Sequence, residues 1–173
     1  MKWFTEPLKE ISDYRYLLEN IKDGETPVLA TGVIDVQKTQ MIYAIQSELG
    51  RTALIISHDD ASARAIYNDI SSFEEKTVFF PSKDFIFYSA DVHSSDITRQ
   101  RFKAVDDIMR GEARVICTTA EALLERLMTK EDMQDLVFEL KEGDIMPLDE
   151  LEKKLVYMGY ERSDTVEGVG QFA

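Results

Sequence analysis

Short apolar runs alternate with amphipathic segments through residue 128, and this alternation constrains the fold more than any other feature. The apolar runs are continuous, which is typical of strands covered on both faces. The segments between them carry apolar side chains at helical spacing, as Ala63, Ile66, Tyr67 and Ile70 do. We predict strands at 28–32, 52–57, 76–80 and 114–118. Such alternation predicts an α/β fold in which helices cover both faces of a parallel sheet.

Glycines and capping residues give the expected bounds of the helices. Gly24, Gly50 and Gly111 each follow an amphipathic segment, where a helix commonly ends. Ser95 or Asp96 is the expected cap of the fourth helix, which leaves residues 81–94 as a loop. The predicted helices are 5–22, 38–49, 59–73, 95–110 and 119–128.

Segment 31–39, between the first predicted strand and its helix, has the frame of a phosphate-binding loop. In the pattern G-x-x-x-x-G-K-[ST], backbone N–H groups surround the phosphates, the lysine contacts them and the hydroxyl binds magnesium. Gly32, Lys38 and Thr39 match this pattern, but Gln37 replaces the second glycine. Because glycine supplies the left-handed backbone of such a loop, we predict a vestigial site that binds no cofactor. ATP binding is the alternative.

Two further features of the loop oppose a nucleotide. Val33, Ile34 and Val36 are β-branched and resist positive φ. Asp35 adds a negative charge near the expected position of the phosphates.

The composition excludes several classes of function. With a net charge of −13, the chain lacks the basic surface of a protein that binds nucleic-acid backbones. We find neither an apolar run long enough for a membrane span nor a signal peptide. Cys117 is the only cysteine and lies in an apolar run, so we expect a small core residue. These features predict a cytoplasmic protein.

The side chains that could serve in catalysis or metal binding form no recognisable site. His58 and His93 have no cysteine or histidine partners at ligand spacing. Asp59 and Asp60 follow a strand, where carboxylates can hold magnesium, but capping of the next helix is the favoured interpretation. We therefore predict no catalytic residue and no metal.

Two clusters could serve nucleic-acid binding. Five aromatic side chains within ten positions could stack on bases, but few cations lie among them, so burial against the sheet edge is favoured. A small basic group on the fourth helix is interpreted as a solvated face. The aromatic residues are Phe79, Phe80, Phe85, Phe87 and Tyr88, and the basic residues are Arg99, Arg101 and Lys103.

The pattern changes near residue 135. Residues 136–140 predict an edge strand, Gly143 a turn and Pro147 the start of a helix. Residues 160–173 read as short strands separated by glycines. We predict two domains, 1–135 and 136–173, the second being the start of a small α+β domain. Since the chain ends within a predicted strand, we expect it to be cut from a longer protein.

Several segments together resemble a known family. They are residues 28–49, TALIISHDDASARAIYNDI, VFFPSKDFIFYSADVHSSDITRQRFKAVDDIM, RVICTTAEALLERL and LKEGDIMPLDELEKKLVYMGYERSDTVEGVGQFA. The chain resembles the N-terminal region of the bacterial transcription-repair coupling factor, which is itself similar to excinuclease B. Residues 136–173 resemble the opening of the small domain with which both families bind excinuclease A.

The resemblance implies a RecA-like, P-loop NTPase-type fold with a degenerate nucleotide site. Excinuclease B has an intact phosphate loop and a DNA-clamping hairpin after the third strand. Gln37 and the shortness of residues 81–94 therefore favour the coupling factor. An ATP-hydrolysing protein like excinuclease B is the alternative, and a free-standing interaction domain is a third possibility.

The resemblance also implies partners. Excinuclease A would bind this fragment, and Tyr160, Arg162 and Phe172 lie in the matching segment. RNA polymerase and DNA would bind other domains of the full-length protein. ATP and magnesium would serve the full-length motor, an ATP-dependent DNA translocase, and not this fragment.

Overall fold

The computed structural model describes residues 2–83, 91–127, 129–135, 140–168 and 170–173, without the side chains of 2, 91–96, 134 and 135. The chain divides into two compact units, Met1–Arg126 and Leu127–Ala173. The predicted assignment of 1–135 and 136–173 to two domains stays a prediction.

The first unit begins with a helical region, as predicted for residues 5–22. It comprises α1 (Lys2–Thr5), a 3-10 turn (Glu6–Glu10) and α2 (Ser12–Asp23). Gly24, with φ of 78°, ends α2 by donating its N–H to the carbonyls of Asn20 and Ile21.

A three-stranded parallel sheet forms the centre of the first unit. The strand order is β1-β3-β2, and β3 pairs with β1 on one side and β2 on the other. Three of the four predicted strands and the parallel sheet are thereby confirmed. The elements that follow α2 are α3 (Asp35–Leu49), β1 (Ala53–Ser57), α4 (Asp60–Ser71), β2 (Thr77–Phe80), α5 (Asp91–Met109), β3 (Val115–Thr119) and α6 (Ala120–Leu124).

Apolar side chains pack on both faces of β2 and β3, as the alternation predicts. The same prediction is wrong for β1, where Leu54 and Ile56 are 51% and 54% exposed. One face of the sheet packs on α4 through Ala63 and Ile70, and the other on α5 and α6 through Ala104 and Ala122. Cys117 is fully buried in the first of these clusters, which confirms it as a core residue. Burial raises the pKa of its thiol to about 12, so the thiol stays protonated and unreactive at neutral pH.

The predicted strand at 28–32 is wrong. Residues 25–34 form no strand, and Leu29 is 87% exposed. A strand requires a neighbouring backbone to pair with. In the part of the chain that the structure describes, β3 is the only strand beside β1.

Three predicted helix bounds also need correction. Helix α3 begins at Asp35 instead of residue 38, and α6 ends at Leu124 instead of 128. Helix α5 begins at Asp91, so the proposed cap at Ser95 or Asp96 lies inside it. Residues 91–96 contain several capping residue types (DVHSSD), and composition alone does not select the one that starts the helix. Residues 84–90 of the predicted loop, with Phe85, Phe87 and Tyr88, lie outside the described residues.

The described residues of the second unit form helices of three turns or fewer and two short strands. They are α7 (Lys130–Asp135), which we did not predict, α8 (Leu148–Tyr157), β4 (Glu161–Arg162) and β5 (Gln171–Phe172). Strands β4 and β5 pair in parallel, with Arg162 opposite Phe172. The turn near Gly143 and the helix start after Pro147 are confirmed. Residues 136–139 of the predicted edge strand lie outside the described residues.

No helix in the described ranges combines the length and apolar character that a membrane span requires.

Candidate functional site

The second half of β1 forms the candidate site, together with segment 31–39. A cavity of about 670 Å³ lies there between α3, β1 and α4. Its lining includes Lys38 and Thr39 from the loop frame and Ser57 and His58 from the end of β1. The volume falls in the range of roughly 300–1,000 Å³ that is usual for small-molecule pockets.

Lys38 already has a partner within its own helix. Its Nζ lies 2.8 Å from Oδ1 of Asp35, one helical turn earlier. This hydrogen bond is the main reason why the pKa of Asp35 is lowered. Because α3 starts at Asp35, the N–H of Lys38 donates to the carbonyl of Ile34 at 3.0 Å. Both the ammonium and the backbone N–H of Lys38 are thus bonded inside the protein.

Thr39 is also bonded internally. Its hydroxyl donates to the carbonyl of Val36 at 2.9 Å, and the residue is 4% exposed. Gly32 keeps a left-handed conformation with φ of 75°, whereas Gln37 is exposed within the first turns of α3. The structure therefore brings Gln37, Lys38 and Thr39 together in the first turns of α3.

The side chains after β1 are arranged as a helix cap. Asp59 accepts the N–H of Ser62 at 2.7 Å, and this bond lowers the pKa of the Asp59 carboxyl. The predicted capping of α4 is confirmed for Asp59. Nε2 of His58 approaches both Ser62 Oγ at 3.4 Å and Asp59 Oδ2 at 3.2 Å. In a catalytic triad the two partners bind different ring nitrogens, so this trio lacks that geometry.

Asp60 has a role that the sequence did not suggest. Its carboxylate accepts the N–H of Ser82 at 3.2 Å and also the Ser82 hydroxyl. The bonds join the first turn of α4 to the segment that follows β2.

An ion pair lies at the same edge of the sheet. Arg101 Nη2 is 2.9 Å from Oε2 of Glu125, and their side chains are only 6% and 12% exposed. Arg101 also donates to the Pro81 carbonyl and stacks 4.2 Å from the centre of the Phe80 ring. The predicted solvated face is therefore wrong for Arg101 but holds for Arg99 and Lys103, which are exposed.

Sequence reasoning missed Glu125, since it follows a short helix and belongs to no motif. Besides Arg101, it accepts the backbone N–H of Lys83 at 2.9 Å. Only the parallel strand order brings it beside Arg101, so no local signal could have identified the pair.

The three residues proposed for partner binding lie near one another in the second unit. Arg162 and Phe172 are opposite each other in the β4–β5 pair. Tyr160 precedes β4 and is 37% exposed. The guanidinium of Arg162 is bonded to Glu152 on α8, which ties the strand pair to the helix.

The second unit exposes much apolar surface. No described residue between 140 and 173 is buried. Helix α8 and its flanks expose large apolar side chains, namely Leu140, Ile145, Leu148, Val156, Tyr157, Tyr160 and Val166. We take these side chains as a candidate contact surface.

Among the described residues, no group of three or more His, Cys, Asp or Glu side chains could hold a metal ion.

Comparison with known proteins identifies relatives over nearly the whole chain. No family model matches. The transcription-repair-coupling factor of Bacillus subtilis is 24% identical over 168 residues, which cover 96% of this chain and 14% of the relative. The UvrABC system protein B of Methanosarcina mazei is 25% identical over 98% of this chain and 29% of its own length.

The chain is related to transcription-repair-coupling factors and UvrABC system B proteins. A second coupling factor, from Staphylococcus aureus, is 23% identical over the full chain and 15% of its own length. The resemblance found in the sequence is thereby confirmed. The chain spans 14–29% of the length of these relatives.

Proposed function

We propose that this chain is an adaptor module of a transcription-repair coupling factor, which recruits excinuclease A to stalled RNA polymerase during nucleotide excision repair. Similarity to two kinds of DNA-repair protein over nearly the whole chain supports a role in DNA repair. The full-length protein would be an ATP-dependent DNA translocase that binds DNA and RNA polymerase through other domains.

The first unit serves in this proposal as a RecA-like scaffold without nucleotide chemistry. The observation that carries this is the internal use of Lys38. A phosphate would have to displace Asp35 from the ammonium of Lys38 and the Ile34 carbonyl from its backbone N–H. Thr39 would have to leave the Val36 carbonyl before it could bind magnesium.

The second unit provides the docking surface for excinuclease A. It combines exposed apolar side chains on α8 with Tyr160, Arg162 and Phe172 on or beside the strand pair. Interfaces draw most of their affinity from a few aromatic and arginine side chains at the centre of such patches.

The docking surface is tested by binding of excinuclease A from the same genome to the immobilised 173-residue chain. We expect Tyr160→Ala and Arg162→Ala each to weaken binding by roughly ten- to thirty-fold, as truncated hot-spot residues do. Arg51→Ala is the matched control, because Arg51 is an exposed arginine of the first unit. Equal weakening by the control, or no binding of wild type, contradicts the proposal.

An ATP-hydrolysing protein like excinuclease B is the second candidate. The cavity beside Lys38 and the similarity to UvrABC system B proteins favour it. Calorimetry with Mg-ATP distinguishes the two candidates. We expect no binding at about 1 mM ATP in wild type or Lys38→Ala, since the Lys38 ammonium and N–H are bonded internally. Micromolar affinity that Lys38→Ala abolishes would establish the enzyme instead.

A further inference from the structure

The outer edge of β2 has no strand beside it in the described part of the chain. The carbonyl of Lys76 accepts from Arg114 and Val115, and that of Phe80 accepts from the Thr118 hydroxyl, so both face β3. The N–H and C=O groups of successive residues point to opposite sides of a strand. Those of Thr77 and Phe79 therefore point to the outer edge, away from β3.

A groove of about 250 Å³ lies along this edge. Thr77 and Phe79 form its floor, α4 supplies Arg64 and Tyr67, and α5 supplies Gln100 and Lys103. Thr77 and Phe79 are each 8% exposed, and no described strand bonds to their outward backbone groups. Unpaired backbone groups at a sheet edge are the features by which the edge receives an added strand.

The charges of the groove favour one kind of occupant. The Arg64 guanidinium lies 4.4 Å from the centre of the Phe79 ring, and Lys103 is exposed on the opposite wall. Asp107 is the one acid among the described residues of the lining. The whole chain has a net charge of −13, whereas this groove is lined by two cations and one acid. A second copy pairing through a two-fold axis would bring the same cations together.

We propose that the β2 edge binds an extended segment of a partner protein that carries acidic side chains and pairs with Thr77 and Phe79. The added strand donates to and accepts from these two peptide groups, and its acids approach Arg64 and Lys103. This site lies within the first unit and does not depend on the docking proposed for the second.

The test uses the 173-residue chain and the synthetic peptide acetyl-Glu-Val-Glu-Val-Glu-Val-Glu-amide, followed by amide NMR and hydrogen exchange. We expect bound peptide to slow exchange of the Thr77 and Phe79 amides by about ten-fold or more, because added hydrogen bonds protect them. In the free protein, the Phe79 amide should exchange faster than that of Val78, which faces β3.

Three comparisons make the test specific. Arg64→Glu and Lys103→Glu should each weaken binding by about ten-fold, whereas Arg99→Glu, an exposed arginine on α5 outside the groove lining, should not. A peptide with N-methyl groups on alternate residues, which removes its donors, should not bind. The same peptide with Lys in place of Glu should bind at least about ten-fold more weakly.

The opposite results overturn the proposal. Unchanged exchange at Thr77 and Phe79, equal binding of the N-methylated or lysine peptide, or equal loss with Arg99→Glu would each exclude strand addition by an acidic segment. A dimer in solution whose formation slows exchange of the Thr77 and Phe79 amides would assign the edge to a second copy.

Discussion

Single residues of the first unit show how burial changes the role of a charged side chain. Arg101 is two residues from Arg99 in sequence, yet α5 directs Arg101 to Glu125 and leaves Arg99 exposed. Arg101 contacts the Phe80 ring and the Pro81 carbonyl as well. It thereby fixes the end of β2 against the segment after α6. The ion pair is a structural element at the edge where the candidate site lies.

Removing one member of this ion pair should lower the stability of the first unit. We expect Arg101→Met to lower the free energy of unfolding by about 3 kcal/mol, because the Glu125 carboxylate, only 12% exposed, then keeps only the more distant Lys83 ammonium at 3.7 Å. Urea unfolding measures the loss. Arg99→Met, on the exposed face of the same helix, is the matched control and should change little. Adding Glu125→Gln to Arg101→Met should recover part of the stability; a double variant as unstable as the sum of the single variants contradicts this.

At the scale of elements, the sequence correctly predicted those helices and strands whose formation depends on nearby residues. The runs at 76–80 and 114–118 are strands whose apolar side chains are covered by helices on both faces. The run at 52–57 is a strand covered on one face only, since Leu54 and Ile56 are 51% and 54% exposed. The helix after Pro147 and the cap at Asp59 depend on residues within one turn, so their sequence signals were sufficient.

The run at 28–32 failed because strand formation depends on a distant neighbour. Its residues Val28, Leu29 and Ala30 have strand-like composition, but no described strand pairs with them. At the candidate site too, the sequence predicted only part of the structure. It showed that Gln37 replaces the second glycine, but not that α3 would begin at Asp35 and that the Lys38 N–H would donate to the Ile34 carbonyl.

At the scale of the whole molecule, the two units differ in how they bury apolar surface. The first contains three clusters of buried apolar residues, and Val115 and Cys117 are fully buried in one of them. The second exposes Ile145 and Leu148 at 98% and 82%. Burial of apolar area is the main favourable term in folding. The docking proposed for the second unit would therefore contribute to its stability as well as to recruitment.

This contrast predicts the pattern of native-state hydrogen exchange along the chain. We expect the amides of β3, paired on both sides, to exchange only through global unfolding of the first unit. The amides of α8 should exchange at least about a hundred-fold faster, because no residue of that helix is buried. Added excinuclease A should slow exchange in α8 and leave β3 unchanged. Exchange in α8 as slow as in β3 without the partner would show that the second unit is already stable, and would remove the stabilising role assigned to docking.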